Sequence, residues 1–370
     1  MTVSFYTFTE LHEALDNYAK IYALEHVAFC PAESMKRTLK RQSERVCRFC
    51  GLRKPQTKFS SIPHVIPELL GNKYLISDFE CDACNTHFST LENDLANYLG
   101  ATRAFNQVPA KDKVPTFTSL GGQVVVKKED FYGVENSTKI VRNSADDDSF
   151  TFNLETGDCE IKYLKQPYTP LKVYKALLKI AMSVMPEQHV GDYAELLCLL
   201  LMDEHNILAR YANGVIVHEL PIAYALPRCH VDHRMATDVK ACTHMFSLYF
   251  QNFAFELPIP LHRLDVAEGI YEDSSFLWYT RPPLFLEKPD DALLEGYRRE
   301  VKDLSGTDVK REQEHMTFNM AVDAFKHTQV YDPATGEMKD SDGMLPNIVG
   351  LYVVRGDERP DFPLRPIDSK

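Results

Sequence analysis

Two Cys-x-x-Cys pairs constrain the fold of this chain more than any other feature. Cys47 and Cys50 form the first pair, and Cys81 and Cys84 form the second. Four thiolates in two such pairs are a typical ligand set of closed, tetrahedral structural zinc sites. We therefore predict that the four cysteines bind one structural Zn²⁺ and hold the residues between them as a loop. The alternative, four unrelated reduced cysteines in a core, requires both spacings to be coincidental.

The residues around the second pair predict a unit of strand, loop, strand and helix. Residues 58–62 and 73–77 have the pattern of two short strands, with a turn at residues 71–72 between them. After the second pair, apolar residues recur at helical spacing, namely Phe88, Leu91, Leu95 and Leu99. Gly100 suits the end of a helix. We therefore predict a helix that leaves the cysteine pair and carries Asn85 on its first turn.

The segment from Cys47 to about Gly100 resembles the HNH endonucleases with a ββα-metal fold, in the form supported by two zinc-binding cysteine pairs. It follows the pattern C-x-x-C, then H-x-I-P-E-x-L-G, then C-x-x-C-N-x-x-F. The matching residues include His64, Ile66, Pro67, Glu68, Leu70, Gly71, Cys81, Cys84, Asn85 and Phe88. The resemblance implies that His64 is the general base and that Asn85 is a ligand of a catalytic divalent cation, Mg²⁺ or Mn²⁺. It also implies that the reaction is hydrolysis of a phosphodiester bond.

These roles agree with the chemistry of the residues. A neutral imidazole is the side chain best suited to accept a proton near pH 7, and a hard cation offsets the negative charge that develops at phosphorus. Many HNH sequences carry Asp or Glu immediately before the base histidine, whereas this chain has Pro63. The remaining ligands therefore stay open among Glu68, Asp78, Asp82, His87 and Glu92. We rank His87 and Glu68 first, and Glu92 is an alternative residue for orienting His64.

A basic segment precedes and overlaps the first cysteine pair. Between residues 36 and 58 the only acid is Glu44, although the whole chain has a net charge of −12. The basic residues are Lys36, Arg37, Lys40, Arg41, Arg45, Arg48, Arg53, Lys54 and Lys58. A local excess of positive charge beside an active site offsets phosphate repulsion, so we predict that this segment contacts DNA. The alternative is a solvated helix face.

Length and composition predict a soluble protein of two or three domains, and the strand and helix patterns give it an α+β fold class. The 370 residues are 44% hydrophobic and 25% charged, and they contain no run of 18 apolar residues and no signal segment. We therefore expect no membrane partner. The five cysteines outside the two pairs show no disulfide framework, which is typical of a reducing cytoplasm.

The chain is divided by prediction into four parts. Residues 1–45 form a helical element, with its helix ending near residue 26, and the basic segment. Residues 46–105 form the HNH module, residues 116–355 an α+β regulatory, recognition or oligomerisation domain, and residues 356–370 a tail. Within the third part, Pro170 begins and Pro186 ends a predicted helix, and the charged stretch 293–322 is also predicted to be helical.

One further group of potential metal ligands lies in the third part. Its members are Cys229, His230, His233, Cys242 and His244. A second zinc site is one interpretation, but the spacing fits no zinc motif that we can defend. We therefore interpret these residues as scattered positions of the core and surface.

The sequence thus predicts a metal-dependent HNH endonuclease whose substrate is DNA. The competing interpretation is a non-catalytic zinc-ribbon protein that binds nucleic acid. The architecture is typical of a bacterial restriction or anti-phage defence effector whose C-terminal domain binds a small-molecule or protein activator, and a homo-oligomer is a further open prediction.

Overall fold

The computed structural model describes residues 3–31, 36–39, 44–110, 113–130, 137–142, 149–153, 156–202, 207–272, 279–319, 329–332, 337–340 and 350–353. Its α-helices are α1 (His12–Ala19), α2 (Asp82–Tyr98), α3 (Thr102–Phe105), α4 (Pro170–Val184), α5 (Glu187–Val190), α6 (Ala194–Leu200) and α7 (Arg263–Ala267). Within these ranges, every helix is too short or too polar to cross a lipid bilayer.

The strands complete a mixed α+β fold, as predicted. They are β1 (Tyr22–Phe29), β2 (Arg37–Leu39), β3 (Leu75–Ser77), β4 (Phe117–Thr118), β5 (Val124–Lys128), β6 (Thr138–Arg142), β7 (Phe150–Asn153), β8 (Asp158–Leu164), β9 (Val215–Arg234), β10 (His244–Pro258), β11 (Arg298–Lys302), β12 (Gln313–Asn319), β13 (Gln329–Asp332), β14 (Glu337–Asp340) and β15 (Gly350–Val353).

The chain divides into two compact units. The first contains Met1–Ala96 and Tyr168–Val309, and the second contains Asn97–Pro167 and Lys310–Lys370. The first unit therefore joins the cysteine-rich segment to a later part of the chain. The four-part division made from the sequence stays a prediction.

A four-stranded antiparallel sheet is the main element of the first unit. Strand β9 pairs with β10 along one edge, and its other edge pairs with β11 in its first half and with β1 in its second half. Two apolar clusters pack on this sheet, one around Phe8, Tyr249 and Phe285 and the other around Tyr22 and Met245.

The N-terminal helix is shorter than the sequence pattern predicts. Helix α1 ends at Ala19, and the residues up to His26 that were predicted to be helical lie mainly in β1. Tyr22 and Ala28 on this strand are each only 3% exposed, since they pack in the unit's interior. Pairing with β9 and this burial outweigh a helical pattern that rests on spacing alone.

Helix α4 is the buried helix of the first unit and agrees with the prediction. Pro170 occupies its first turn, where a missing N–H costs nothing, and Pro186 follows two residues after its end. Every residue of α4 except Lys172 is buried. The helix predicted for 293–322 was wrong, because this stretch contains β11 and β12, which pair with β9 and β8.

The second unit is built from small antiparallel sheets. Strands β15, β6, β5 and β4 form one sheet in that order, β12, β8 and β7 form another, and β13 pairs with β14. Burial alternates along β5, β6 and β8, as for Val124 and Val126 on β5, so one face of these strands supplies the core. Helix α3 adds Ala104 to this core, which also contains Ile140 and Ile161.

Candidate functional site

The four cysteines of the two pairs lie together in the first unit. Their Sγ atoms all lie within 4.8 Å of one another, with 3.7 Å between Cys47 and Cys84 and 3.8 Å between Cys50 and Cys81. Tetrahedral zinc with Zn–S bonds of about 2.3 Å requires sulfur atoms about 3.8 Å apart. The donor set and its spacing therefore fit a closed zinc site.

The backbone explains how this geometry arises. The amide of Gly51 donates to the Cys47 carbonyl at 2.8 Å, and Gly51 has a φ of +70°, a conformation that glycine adopts without strain. The second pair flanks the start of α2, where free helix amides and the helix dipole favour negative charge. The hydrogen bond between the Cys47 and Cys84 thiols, together with backbone groups of both cysteine pairs, outweighs burial and lowers the pKa of Cys47 to about 5, so the cluster favours a thiolate.

His64 lies on a short hairpin in the segment between the two cysteine pairs. Residues 58–62 form no strand, and the pairing is shifted to Pro63 and Val65: the Ser77 amide donates to Pro63 O at 2.9 Å and the Val65 amide to Leu75 O at 3.1 Å. His64 forms the single bridge to Ile76 between these bonds. Of the two strands predicted around His64, only the second forms, as β3, and residues 63–65 pair with it through one short antiparallel ladder.

The His64 ring is held in a half-buried position. Burial lowers its pKa, with Lys179 acting in the same direction, while Glu68, a hydrogen bond with the Lys73 backbone and Glu92 act in the opposite direction. The ring is therefore mostly neutral near pH 7, which is the form that accepts a proton. Among the candidate ligands, Glu68 and Glu92 are thus the carboxylates whose charge reaches His64.

A buried asparagine fixes the loop that carries His64. Asn72 is fully buried, and its side-chain amide donates to Ile66 O at 2.6 Å and to Leu75 O at 2.8 Å. Its side-chain oxygen accepts from the Leu75 amide at 2.8 Å. These bonds satisfy backbone groups that a buried loop would otherwise leave unpaired. The sequence pattern marked this position as a turn and missed its structural role.

A buried ion cluster lies beneath the His64 loop. The ammonium group of Lys179 on α4 lies 3.5 Å from a Glu80 carboxylate oxygen, 3.2 Å from Glu92 Oε1 and 3.3 Å from the His64 carbonyl oxygen. Burial alone would lower the pKa of Lys179, but Glu80 and Glu92 outweigh it and raise this pKa. Lys179 therefore stays charged and ties the His64 backbone to α4, a link that sequence spacing could not reveal.

Arg48 is a structural residue within the first unit. Its side chain is 5% exposed, and it donates to the carbonyl oxygens of Met182, Ser183 and Met185 at the end of α4. It also forms a 2.8 Å ion pair with Glu187. Such carbonyls at a helix end lack intrahelical partners, so Arg48 caps α4. This basic residue, predicted to contact DNA, is committed to the protein interior.

The structure assigns other partners to several predicted metal ligands. His87 lies with Nε2 2.9 Å from Leu200 O. Asp82 accepts from the amides of Ser60 and Ser61 at 2.8 and 2.9 Å, so it fixes that loop. The carbonyl of Pro63 already accepts from Ser77.

Asn85 and Glu68 are the two other residues predicted to bind the catalytic cation. Both are half-buried, Asn85 near the start of α2 and Glu68 at the first position of the 3₁₀ turn Glu68–Leu70. Amide and carboxylate oxygens of this kind suit Mg²⁺ or Mn²⁺.

The rest of the basic segment is exposed where the structure describes it. Lys40 and Arg41 lie outside the described residues. The exposed basic residues are Lys36, Arg37, Arg45, Arg53, Lys54 and Lys58. Parallel pairing of β2 with β3 brings Arg37 beside Leu75, in the hairpin strand that pairs with His64. Arg37 therefore lies on the strand next to the one that pairs with the candidate base.

Comparison with known proteins bears on this same segment. Residues 47–97 match the HNH endonuclease family. The match includes the four cysteines, His64, Glu68 and Asn85, and confirms the resemblance recognised from the sequence. No curated protein and no solved structure matches the chain.

Proposed function

We propose that the protein is a metal-dependent endonuclease that hydrolyses phosphodiester bonds in DNA, with His64 as its general base. The observation that carries this proposal is the neutral, half-buried His64 within the HNH segment, beside the charges of Glu68 and Glu92. A positioned histidine of lowered pKa accepts a proton from water without first losing one of its own. The proposed zinc ion on the four cysteines has a structural role only.

The proposed catalytic cation is bound by Asn85 and Glu68, and when bound it stabilises negative charge on the phosphate and the leaving oxygen. We favour Glu68 over His87, because His87 Nε2 lies at hydrogen-bonding distance from Leu200 O. Glu92 lies 3.2 Å from the Lys179 ammonium, which favours the alternative role in orienting the His64 loop.

The exposed basic residues supply the phosphate contacts of the proposal. Arg37 and Lys58 lie on segments that flank the His64 hairpin, and neither is committed to an ion pair with this chain among the described residues. Phosphate contacts of this kind position a duplex without reading its sequence. We therefore expect cleavage that depends strongly on salt.

A plasmid-nicking assay with Mg²⁺ or Mn²⁺ tests this proposal. The His64→Ala variant should cleave at least about two orders of magnitude more slowly, while the exposed control His12→Ala keeps the wild-type rate. Asn85→Ala should lose activity, with partial recovery at higher metal concentration, whereas Asn93→Ala, exposed on the same helix, should not. Parallel reactions on RNA separate the two substrates. Wild-type cleavage by His64→Ala would refute the mechanism.

The non-catalytic alternative rests on one specific observation. Pro63 replaces the acidic ligand of many HNH sequences, and its carbonyl already accepts a hydrogen bond from Ser77. If the wild-type protein binds DNA but cleaves none with any divalent metal, it is a zinc-ribbon binding protein. Activation through the later part of the chain, a role in defence, a homo-oligomer and cytoplasmic location stay predictions.

A further inference from the structure

A second group of potential metal ligands lies in the first unit, in residues outside the HNH segment. Glu25 is on β1, His189 is on the short helix α5, and His244 is the first residue of β10. One carboxylate oxygen and one ring nitrogen from each histidine all lie within 4.8 Å of one another. The group was not found from the sequence, because its members are far apart along the chain.

The carboxylate of Glu25 faces both histidines. Its Oε1 lies 2.7 Å from Nε2 of His189, and its Oε2 lies 3.4 Å from Nε2 of His244. His244 is fully buried, yet its Nε2 has no hydrogen-bond partner among the described residues. A buried ring nitrogen without a partner is costly, and a simple ion pair between Glu25 and His189 does not explain it. A metal ion between the three side chains would supply the missing partner.

The other nitrogen of His244 has the partner that a metal ligand needs. Its Nδ1 lies 2.8 Å from the hydroxyl of the buried Tyr193. When Nδ1–H donates to that oxygen, Nε2 carries the lone pair that can bind a metal. Metal-bound histidines usually donate their second N–H to an oxygen in this way.

Local backbone features bring the three residues together. The register between β1 and β9 shifts between Leu24 and His26, so Glu25 occupies a β-bulge. Bulges redirect a side chain relative to the regular alternation of a strand. His244 lies opposite His233 on the neighbouring strand, and their rings stack with centroids 4.9 Å apart. His189 enters from α5, which begins immediately after Pro186.

We propose that Glu25, His189 and His244 bind a divalent transition-metal ion, with Zn²⁺ as the ion that this ligand set suits best. Two histidines and one carboxylate are a known three-ligand set for zinc, and they leave a coordination position for water or another ligand. The site is open on one side, since the side chains of His189 and Glu25 are 19% and 22% exposed. It is therefore distinct from the closed cysteine site in both ligand type and access.

Metal content of the full-length protein tests this site without any activity assay. After loading with Zn²⁺ and removal of free metal, the wild type should hold about two equivalents, one at the cysteines and one here. Glu25→Gln and His189→Gln should each hold about one, with affinity for the second ion weakened by more than about 100-fold. The control His26→Gln, on the next residue of β1, should keep both.

Cobalt(II) substitution distinguishes the two sites by spectrum, because only the cysteine site gives thiolate-to-metal charge-transfer bands. If either variant misfolds, Tyr193→Phe removes only the orienting hydroxyl and should weaken the second site by about 10- to 100-fold. A wild type that binds a single equivalent, or Glu25→Gln and His189→Gln variants that both keep two, would overturn the proposal. Neither result depends on whether the HNH segment cleaves DNA.

Discussion

The cysteine cluster and the Glu25–His189–His244 cluster lie in the same unit but are assembled in different ways. The four cysteines come from one segment of the chain, and backbone turns and the start of α2 set their spacing. The other three ligands come from a strand bulge, a short helix and a strand end. The ligands of the first cluster are close together along the chain, whereas those of the second come together only when the sheet and helices have packed.

This difference leads us to expect different effects of the two clusters on stability. A zinc ion held by four ligands from one small segment would couple metal binding to the folding of that segment. A site made of three ligands on an existing scaffold adds little to that scaffold and leaves a coordination position open. We therefore expect metal loss to unfold the first and to leave the second folded.

Removing a cysteine ligand should give the largest loss of stability among the variants. Cys84→Ser should release about one equivalent of zinc and unfold residues 47–97, because structural zinc contributes about 10–16 kcal/mol, comparable to the whole stability of a domain. Hydrogen exchange of peptides from this segment measures the loss directly. The control is Cys198→Ser, which changes an exposed cysteine and should keep the zinc content and hydrogen exchange of the wild type. Equal exchange in Cys84→Ser and wild type would show that the cluster is not a folding site.

The contrast between the clusters also marks the limit of what sequence predicts here. The cysteine cluster and the buried helix α4 follow from short-range spacing, and the structure contains both of them, whereas the strand predicted before His64 is replaced by pairing at Pro63 and Val65. Lys179 and Arg48 contact partners that lie far away along the chain, so no local sequence pattern indicates their roles.

Strand β1 and the stretch 293–322 show the same limit for the fold. Both have residues compatible with a helix, and pairing with distant strands decides against it. Context of this kind commonly overrides local preference in strands. The cluster containing His244 was likewise interpreted as scattered residues, because only the folded sheet brings Glu25 to it.

Replacing Lys179 should give the next largest loss of stability. This variant tests how the HNH segment depends on α4. Lys179→Met leaves the buried Glu80 carboxylate, only 1% exposed, without its cation. Breaking a buried ion pair from one side typically costs about 3–5 kcal/mol. Urea unfolding should show this loss, and the matched control Lys172→Met, exposed on the same helix, should change stability by less than about 0.5 kcal/mol.

A double variant sharpens this test. In Lys179→Met with Glu80→Gln both charges are removed, so the protein should be more stable than Lys179→Met alone, since no unpaired buried charge remains. If the double variant is less stable than the wild type by the sum of the two single effects, the two side chains act independently and the ion cluster does not connect α4 to the HNH segment.

Stepwise chelation compares the two clusters directly. A carboxylate-type chelator should remove metal from the open three-ligand site first and lower stability by about 2.7 kcal/mol or less, the value for a ligand at 100 times its dissociation constant. The cysteine-bound metal should leave only when the thiols are modified. Atomic absorption of the filtered protein follows both steps. Simultaneous loss of both metals at one chelator concentration would contradict the distinction between an open and a closed site.

Replacing exposed basic residues should give the smallest effect, and this effect should be confined to DNA binding. If Arg37, Lys54 and Lys58 contact phosphates, replacing all three by Gln should reduce the slope of log affinity against log salt by about 0.9 for each contact. Zinc content and urea unfolding should stay unchanged, because these side chains are exposed. Their replacement should leave sequence preference unaltered, since phosphate contacts position a protein without reading bases.

The control variant replaces three exposed basic residues elsewhere in the first unit, namely Lys288, Arg298 and Arg299. Equal salt slopes for the two triple variants would place the DNA path away from the HNH segment.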